Sequence, residues 1–289
     1  MSGGRRRFRF GVQLTPSDGE EARRMAHEAE SLGYASIVVP DHASSNLAPF
    51  PLLAVLAENT RSIKIGTLVL AAGLRDAGVL AEDAAAIHYL SDGRLELGLG
   101  TGWLRADFDR LGVPLPSARE RVGRLAAAVA RIKARPAAER PHLVIGGGSK
   151  NVLTMAAREA DTVHVNVPLT SGELTRKLGA EATEERFRAR VGWISKAACG
   201  REDAPELGVS PSLCGIKPGS PAALTARLGR ALDLSPEDAS RSPMLLVGTV
   251  ASVTEALLER RELLGLSYIV IPWSAARAMR PVVEELNGR

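Results

Sequence analysis

The apolar residues of this chain follow two alternating periods. Short apolar runs rich in aromatic and β-branched residues, which are typical of buried strands, precede segments whose apolar residues recur every three or four positions, which is typical of helices. Residues 8–14 form the first run, and residues 19–33 form the first helical segment, with Gly33 where a glycine commonly ends a helix. This alternation predicts parallel strands joined by helices.

The alternation continues through eight strand–helix units. An open, doubly wound sheet usually has fewer strands, and it carries a glycine-rich dinucleotide loop after the first strand. This chain has Gln13-Leu14-Thr15-Pro16-Ser17 at that place, which is not such a loop. We therefore predict an α/β fold, a (β/α)8 TIM barrel.

The same pattern predicts the domain organisation. We expect residues 1–7 to form a disordered basic tail and residues 8–289 to form a single barrel domain. The Pro- and Ser-rich residues 217–243 are expected to form an irregular insertion before the last helix–strand unit. Strands are predicted at residues 8–14, 36–40, 63–70, 94–98, 143–146, 162–167, 207–216 and 268–272, and helices at residues 19–33, 51–59, 78–90, 119–134, 152–160, 183–198, 222–232, 249–265 and 279–286.

Charge and cysteine content exclude several classes of protein. The net charge of this 289-residue chain is +4, and Arg5, Arg6 and Arg7 supply three of these charges. The other basic residues are scattered among acids, so we expect no nucleic-acid partner. Cys199 and Cys214 are too few for a disulfide framework or a cysteine zinc site, and no apolar run is long enough for a signal peptide or a membrane span. We expect a cytoplasmic protein with neither a metal nor a membrane partner.

The ends of the predicted strands supply the candidate catalytic residues, because barrel enzymes place their chemistry there. Asp41 and His42 follow the second strand, and an imidazole transfers protons near neutral pH. A loop-capping Asp41 with a packed His42 is the structural alternative. His164, in the sixth strand, lies where its side chain can face the barrel interior.

Glycine clusters follow the fourth and fifth predicted strands. In Gly98-Leu99-Gly100-Thr101-Gly102-Trp103 the spacing is not that of a dinucleotide loop, but the glycines allow a flat ring to approach the backbone. Trp103 either forms a wall of that pocket or plugs the barrel end. The second cluster precedes a predicted helix, whose free N–H groups suit a phosphate, although it is also compatible with a flexible turn. Its sequence is Gly146-Gly147-Gly148-Ser149.

Several segments, taken together, resemble the bacterial luciferase-like flavin oxidoreductases, and in particular their branch that depends on a deazaflavin. The similarity extends from the second to the eighth predicted strand, so it covers nearly the whole chain. The matching segments are residues 30–34 (Glu-Ser-Leu-Gly-Tyr), 40–42 (Pro-Asp-His), 65–70, 90–103, 145–148 and 247–249.

The resemblance implies a luciferase-like barrel that binds coenzyme F420, a 5-deazaflavin, or FMN as in other branches. It places His42 near the central ring of the cofactor, and it places Leu68-Val69 where members often have a non-prolyl cis peptide bond. The chain departs from the family at Asp76-Ala77, where His-Pro is common, and at Trp103, where some deazaflavin dehydrogenases have a glutamate. The cofactor-binding residues implied are Leu68, Val69, Ala71, Gly100, Thr101, Gly102, Trp103, Gly146, Gly147, Gly148 and Ser149.

The function predicted is an F420-dependent oxidoreductase that transfers a hydride between the deazaflavin and a small organic substrate, most simply in the reduction of a C=C or C=N bond. His42 is the first candidate for the proton donor, with Asp41 beside it as a second catalytic residue. One alternative is an FMN-dependent luciferase-like monooxygenase or reductase. Another is a non-catalytic cofactor-binding relative, which the departure at Asp76-Ala77 favours. The resemblance also implies a homodimer.

Overall fold

The computed structural model describes residues 6–44, 47–168, 176–217, 219 and 221–289. The strands are β1 (Arg9–Gln13), β2 (Ser36–Val39), β3 (Lys64–Thr67), β4 (Leu70–Ala71), β5 (Leu95–Gly100), β6 (His142–Gly147), β7 (Thr162–Val165), β8 (Glu206–Val209), β9 (Leu213–Ile216), β10 (Leu245–Gly248) and β11 (Leu266–Pro272). The helices are α1 (Gly19–Ser31), α2 (Pro49–Glu58), α3 (Ala77–Leu90), α4 (Arg105–Arg110), α5 (Ala118–Lys133), α6 (Lys150–Glu159), α7 (Glu184–Ala197), α8 (Pro221–Ala231), α9 (Pro236–Arg241), α10 (Val250–Leu264) and α11 (Trp273–Leu286).

Parallel strands close into a barrel. The hydrogen-bonded order is β3-β2-β1-β11-β8-β7-β6-β5, and β5 pairs back onto β3. The short strand β4 follows β3 and pairs with the end of β5. A closed barrel of eight parallel strands with alternating helices is the predicted (β/α)8 fold, and the prediction is confirmed.

The predicted seventh strand, residues 207–216, is wrong as a single element. Pro211 has no N–H group to continue a ladder, and the chain leaves the barrel there. β8 pairs with β7 and β11, whereas β9 pairs in parallel with β10 in a separate two-stranded sheet. The insertion is therefore not irregular throughout, because its described residues include α8 and α9 packed beside this small sheet.

Two further differences lie near the carboxyl ends of the strands. The predicted strand at residues 63–70 is interrupted at Leu68-Val69, whose peptide bond is cis, as the resemblance implied. The helix α4 was not predicted, because six residues make fewer than two turns and show no period.

Residues 1–5 of the predicted tail lie outside the described part of the chain, and the guanidinium of Arg6 donates a hydrogen bond to the carbonyl oxygen of Ala204.

A network of polar side chains fills the interior at the amino-terminal ends of the strands. Arg9 of β1 forms ion pairs with Glu96 of β5 and Glu206 of β8. Its guanidinium carbon lies 4.1 Å from the centre of the Tyr268 ring on β11, and the Tyr268 hydroxyl is 2.7 Å from Ser36 Oγ on β2. Charges buried inside a protein are tolerated only with partners, and here the partners come from other strands. The network therefore connects five strands through the barrel interior.

The strands β3 and β5 approach each other more closely than side chains permit. A Cβ atom at Gly98 would lie 1.8 Å from the carbonyl oxygen of Thr67, and one at Gly66 would lie 2.1 Å from the carbonyl oxygen of Glu96. The Thr67 hydroxyl donates to the Gly98 carbonyl at 2.8 Å and accepts from the Gly98 N–H at 3.0 Å. Closure of the barrel at this seam therefore requires glycine.

We expect the substitution Gly98→Ala to lower the free energy of unfolding by about 3 kcal/mol or more, because the obstructing atom is backbone and both strands have to move. Urea denaturation followed by circular dichroism measures the change. The control is Gly123→Ala on the exposed face of α5, where an added Cβ meets no atom within 4 Å. Alanine favours the helix, so the control should gain about 0.5–1 kcal/mol. A Gly98→Ala variant as stable as the wild type would contradict this explanation.

Candidate active site

A cavity of about 330 Å³ opens where the barrel strands end at their carboxyl side. This is the end at which barrel enzymes bind their ligands. Every residue predicted for the site lines this one cavity, and their individual roles stay predictions. They are Asp41, His42, Leu68, Val69, Ala71, Gly100, Thr101, Gly102, Trp103, Gly146, Gly147, Gly148 and Ser149.

His42 is held by the carboxylate of Asp107 on α4. The Nδ1 atom of His42 lies 2.9 Å from Oδ2 of Asp107, and Oδ1 of Asp107 accepts the N–H of Ala43 at 2.9 Å. The His42 side chain is 38% exposed, whereas that of Asp107 is 10% exposed. With the Nδ1 hydrogen donated to the carboxylate, Nε2 is the ring nitrogen that remains for a ligand in the cavity.

Asp41 is engaged by a different element. Its carboxylate accepts hydrogen bonds from Nη1 and Nη2 of Arg75 at 2.5 and 2.9 Å, and from the N–H of Ala71 at 2.9 Å. Both oxygens are thus occupied, and the side chain is 9% exposed. These contacts tie the segment after β2 to β4. They favour a positioning role for Asp41, and its predicted part in catalysis stays a prediction.

The family departure at Asp76-Ala77 has a structural explanation. Asp76 is the N-cap of α3, where one carboxylate oxygen accepts the N–H groups of Gly78 at 2.8 Å and Val79 at 3.1 Å. Aspartate is among the best residues for this purpose, and it does not line the cavity. The observation that favoured a non-catalytic relative is therefore accounted for by helix capping.

The cavity wall at the ends of β5 and β6 consists of backbone. A Cβ atom at Gly100 would lie 2.5 Å from Cγ2 of Val69, and one at Gly146 would lie 2.9 Å from Cγ1 of Val69. A Cβ atom at Gly148 would lie 2.4 Å from the carbonyl carbon of Val167. Glycine at these positions thus lets Val69 and the main chain at Val167 pack directly against the wall, as a site for a flat ring requires.

Helix α6 begins directly after this wall. Ser149 is its N-cap, and the Ser149 hydroxyl lies 3.5 Å from the N–H of Val152. The unpaired N–H groups and the dipole at a helix N-terminus favour an anion, and Gly147 and Gly148 let such a group come close to the chain. These features fit a phosphate, as the sequence predicts.

His164 of β7 faces the barrel interior, as expected, and lines the same cavity. It is 4% exposed, and its Nε2 lies 3.0 Å from Oγ of Ser210, which follows β8. Burial lowers the pKa of His164 to about 4. The imidazole is therefore neutral near pH 7, and it offers hydrogen bonds without carrying a charge.

Other residues of the cavity were not predicted from the sequence as functional. Asp107 lies on the six-residue helix α4, and Ser210 follows a strand that was expected to continue through it. Arg121 lies on a helix whose apolar period is clear, but the period does not reveal that this one charged residue is buried. The unpredicted lining residues include four with hydrogen-bonding side chains, namely Gln13, Asp107, Arg121 and Ser210.

The described residues contain neither a metal-binding cluster nor a membrane-spanning helix. No three His, Cys, Asp or Glu side chains come close enough together to hold a metal ion. No helix in these parts of the chain has both the length and the apolar composition to cross a membrane.

The closed barrel has a glycine-walled cavity at the carboxyl ends of its strands, where barrel enzymes bind their ligands. The sequence model of the family described as luciferase-like monooxygenase matches residues 7–206. The chain belongs to this family.

Curated relatives include proteins named for F420 and for a pterin substrate. An F420-dependent glucose-6-phosphate dehydrogenase of Beutenbergia cavernae is 34% identical over 185 residues, which cover 60% of this chain and 52% of that protein. A 5,10-methylenetetrahydromethanopterin reductase of Methanolobus tindarius is 36% identical over 120 residues, which cover 39% of this chain and 36% of that protein. The chain thus matches about half or less of the length of each.

Solved structures of an F420-dependent reductase and of a monooxygenase with bound FMN have a similar fold. A coenzyme F420-dependent tetrahydromethanopterin reductase of Methanopyrus kandleri has a TM-score of 0.72 at 17% identity, over 98% of this chain and all of that chain. The oxygenating constituent of 3,6-diketocamphane monooxygenase of Pseudomonas putida, in complex with FMN, has a TM-score of 0.70 at 14% identity, over 98% of each chain. At these identities the likeness concerns the fold.

We expect the buried imidazole to make stability depend on pH. The pKa of His164 is lower in the folded than in the unfolded chain, so between about pH 6.5 and 4 the unfolded chain binds a proton that the folded one excludes. Stability then falls as the pH falls, by about 3 kcal/mol from this group. Urea denaturation of wild type and His164→Gln at pH 7 and pH 4.5 should show the smaller loss in the variant. His27→Gln, on the exposed side of α1, should behave as the wild type. Equal losses in all three proteins would contradict the assignment.

Proposed function

We propose that this protein is an oxidoreductase that uses coenzyme F420 to transfer a hydride to or from a small organic substrate, most simply in the reduction of a C=C or C=N bond. The observation that carries the proposal is a glycine-walled cavity beside Leu68-Val69 that also contains a histidine held by a carboxylate. The names of two relatives, a glucose-6-phosphate dehydrogenase and a tetrahydromethanopterin reductase that depend on F420, support the choice of cofactor.

The cavity residues fit a tricyclic ring with a phosphate-bearing side chain. Gly100 and Gly146 let Val69 pack directly against the main chain, and all three residues would form the wall against which the ring lies. Gly148 and Ser149, at the start of α6, would hold the phosphate. When bound, a 5-deazaflavin supplies hydride chemistry in two-electron steps, because carbon replaces the reactive flavin nitrogen.

The chain itself would supply the proton and the geometry. His42 lines the cavity, and its Nδ1–H donates to Asp107, so Nε2 is the ring nitrogen that would take up and deliver the proton. Asp107 also accepts the Ala43 N–H, which fixes the segment that carries the histidine. Asp41, through Arg75 and Ala71, would keep β4 in position next to the ring.

A second candidate is an FMN-dependent luciferase-like monooxygenase or reductase on the same barrel. The family description and a structural neighbour solved with FMN support it. The glycine wall is compatible with either ring, so the discriminating property is the affinity of the protein for each cofactor.

Titration of the purified protein with F420 and with FMN, followed by protein fluorescence, tests the choice of cofactor. We expect F420 to bind at least about tenfold more tightly than FMN, a difference of about 1.4 kcal/mol. Tighter binding of FMN would replace the first proposal by the second. Stoichiometric F420 binding without oxidation of the reduced cofactor by any activated alkene or imine would support a non-catalytic relative.

The proton-transfer role predicts a separation of turnover from binding. We expect His42→Ala to lower kcat by about 100-fold or more while the Kd for the cofactor stays within about threefold. We expect Asp107→Asn to lower kcat by about tenfold, because the histidine loses its fixed orientation. Asp109→Asn, on the exposed side of the same helix, should have no effect. Full turnover in His42→Ala with normal binding would remove His42 from the mechanism.

A further inference from the structure

Arg121 lies in the cavity as a buried cation. It belongs to the first turn of α5 and is 9% exposed, and it lines the cavity together with Ala118 and Val122 of the same helix. One N–H of its guanidinium group, at Nη1, donates to the carbonyl oxygen of Pro116 at 3.0 Å. Its Nε–H is buried and has no hydrogen-bond partner among the described residues.

No carboxylate of the described chain compensates this charge. Burial lowers the pKa of Arg121, and the exposed cation Arg105 on α4 lowers it further. No acidic group acts on it in the opposite direction. A buried charge with an unpaired N–H is costly, and an anion bound in the cavity would supply the missing partner.

Three other arginines, one half-buried and two buried, show what compensation looks like. Arg9 pairs with Glu96 and Glu206, and Arg190 pairs with Glu181. Arg94 donates hydrogen bonds to four oxygens of the chain. Arg121 differs from these three in facing a cavity with its Nε–H unpaired.

We propose that Arg121 is an anion-binding residue of the cavity, which takes a phosphate or carboxylate group of a bound ligand through its unpaired guanidinium N–H. The planar guanidinium suits such oxygens because its N–H groups form a fork. The Cγ atom of Arg121 lies 3.8 Å from the place of a Cβ at Gly73, and the carbonyl oxygen of Thr101 lies 3.1 Å from that same place. The stem of Arg121 therefore lies beside the segments that follow β4 and β5, and the anion would bind on that side of the cavity.

The inference rests on the proposed function only in treating this cavity as the ligand site. Two ligands carry suitable oxygens, namely the cofactor through its phosphate and the substrate through an acidic group. Either anion would bind the Arg121 guanidinium in the same way. If the cofactor supplies it, the Kd for the cofactor depends on Arg121; if the substrate supplies it, the Kd for the substrate does.

The test compares ligands with and without the phosphate. Apoprotein is titrated with F420, with the deazaflavin that lacks the phosphate-bearing tail, with FMN and with riboflavin, and binding is read from fluorescence. We expect Arg121→Gln to weaken the phosphate-bearing forms by about tenfold or more and to leave the phosphate-free forms within about twofold. Arg121→Met, which keeps the apolar stem, should reproduce this result if the glutamine variant does not fold.

A second arm identifies the substrate as the source. Inorganic phosphate is added to cofactor-loaded protein, and its binding is followed through the visible absorption of the cofactor. Unchanged cofactor affinity with phosphate binding weakened about tenfold in Arg121→Gln assigns the anion to the substrate.

The control for both arms is Arg119→Gln, which removes the same charge from the exposed side of the same helix and should behave as the wild type. Equal weakening of phosphate-bearing and phosphate-free ligands, or no change in either arm, would overturn the inference. Failure of the wild type to bind either cofactor would instead contradict the proposed function.

Discussion

The ion pairs of Arg9 hold the barrel together from the inside. Burial by itself would lower the pKa of Arg9, but Glu96, Tyr268 and Glu206 raise it above its ordinary value, so the charge persists inside the barrel. Loss of one partner from such a network typically costs about 3–5 kcal/mol, because the remaining charges stay buried. The network occupies the amino-terminal ends of the strands. The cavity lies at the opposite end, where the strands end at their carboxyl side.

Main chain and side chains form different parts of the cavity. Its narrow wall is formed by glycine positions at the ends of β5 and β6, where a Cβ atom would collide with Val69 or Val167. Its charged and titratable groups come from elsewhere and are each fixed by a neighbour, as His42 is by Asp107 and His164 is by Ser210. Such support keeps the side chains in one orientation before any ligand arrives.

The period of apolar residues predicts the barrel well, because each strand and each long helix buries a regular face. It fails where a single residue changes the path of the chain, as Pro211 does between β8 and β9. The site is predictable where glycine clusters and the Asp41-His42 pair follow strands. The partners Asp107 and Arg121 are not, since a short helix has no visible period and burial of one charged residue depends on tertiary packing.

A wall made of main chain has a consequence for how this site can change. Substitutions that alter side chains on α4 and α5, or in the segments after β7 and β8, would reshape the space that faces a substrate. They would leave the contacts of Val69 with the main chain at Gly100 and Gly146 as they are. The glycine wall and the side chains that line the rest of the cavity are thus encoded in separate parts of the chain. The cavity lining can therefore change through positions on α4 and α5 and after β7 and β8 while the glycine wall is kept.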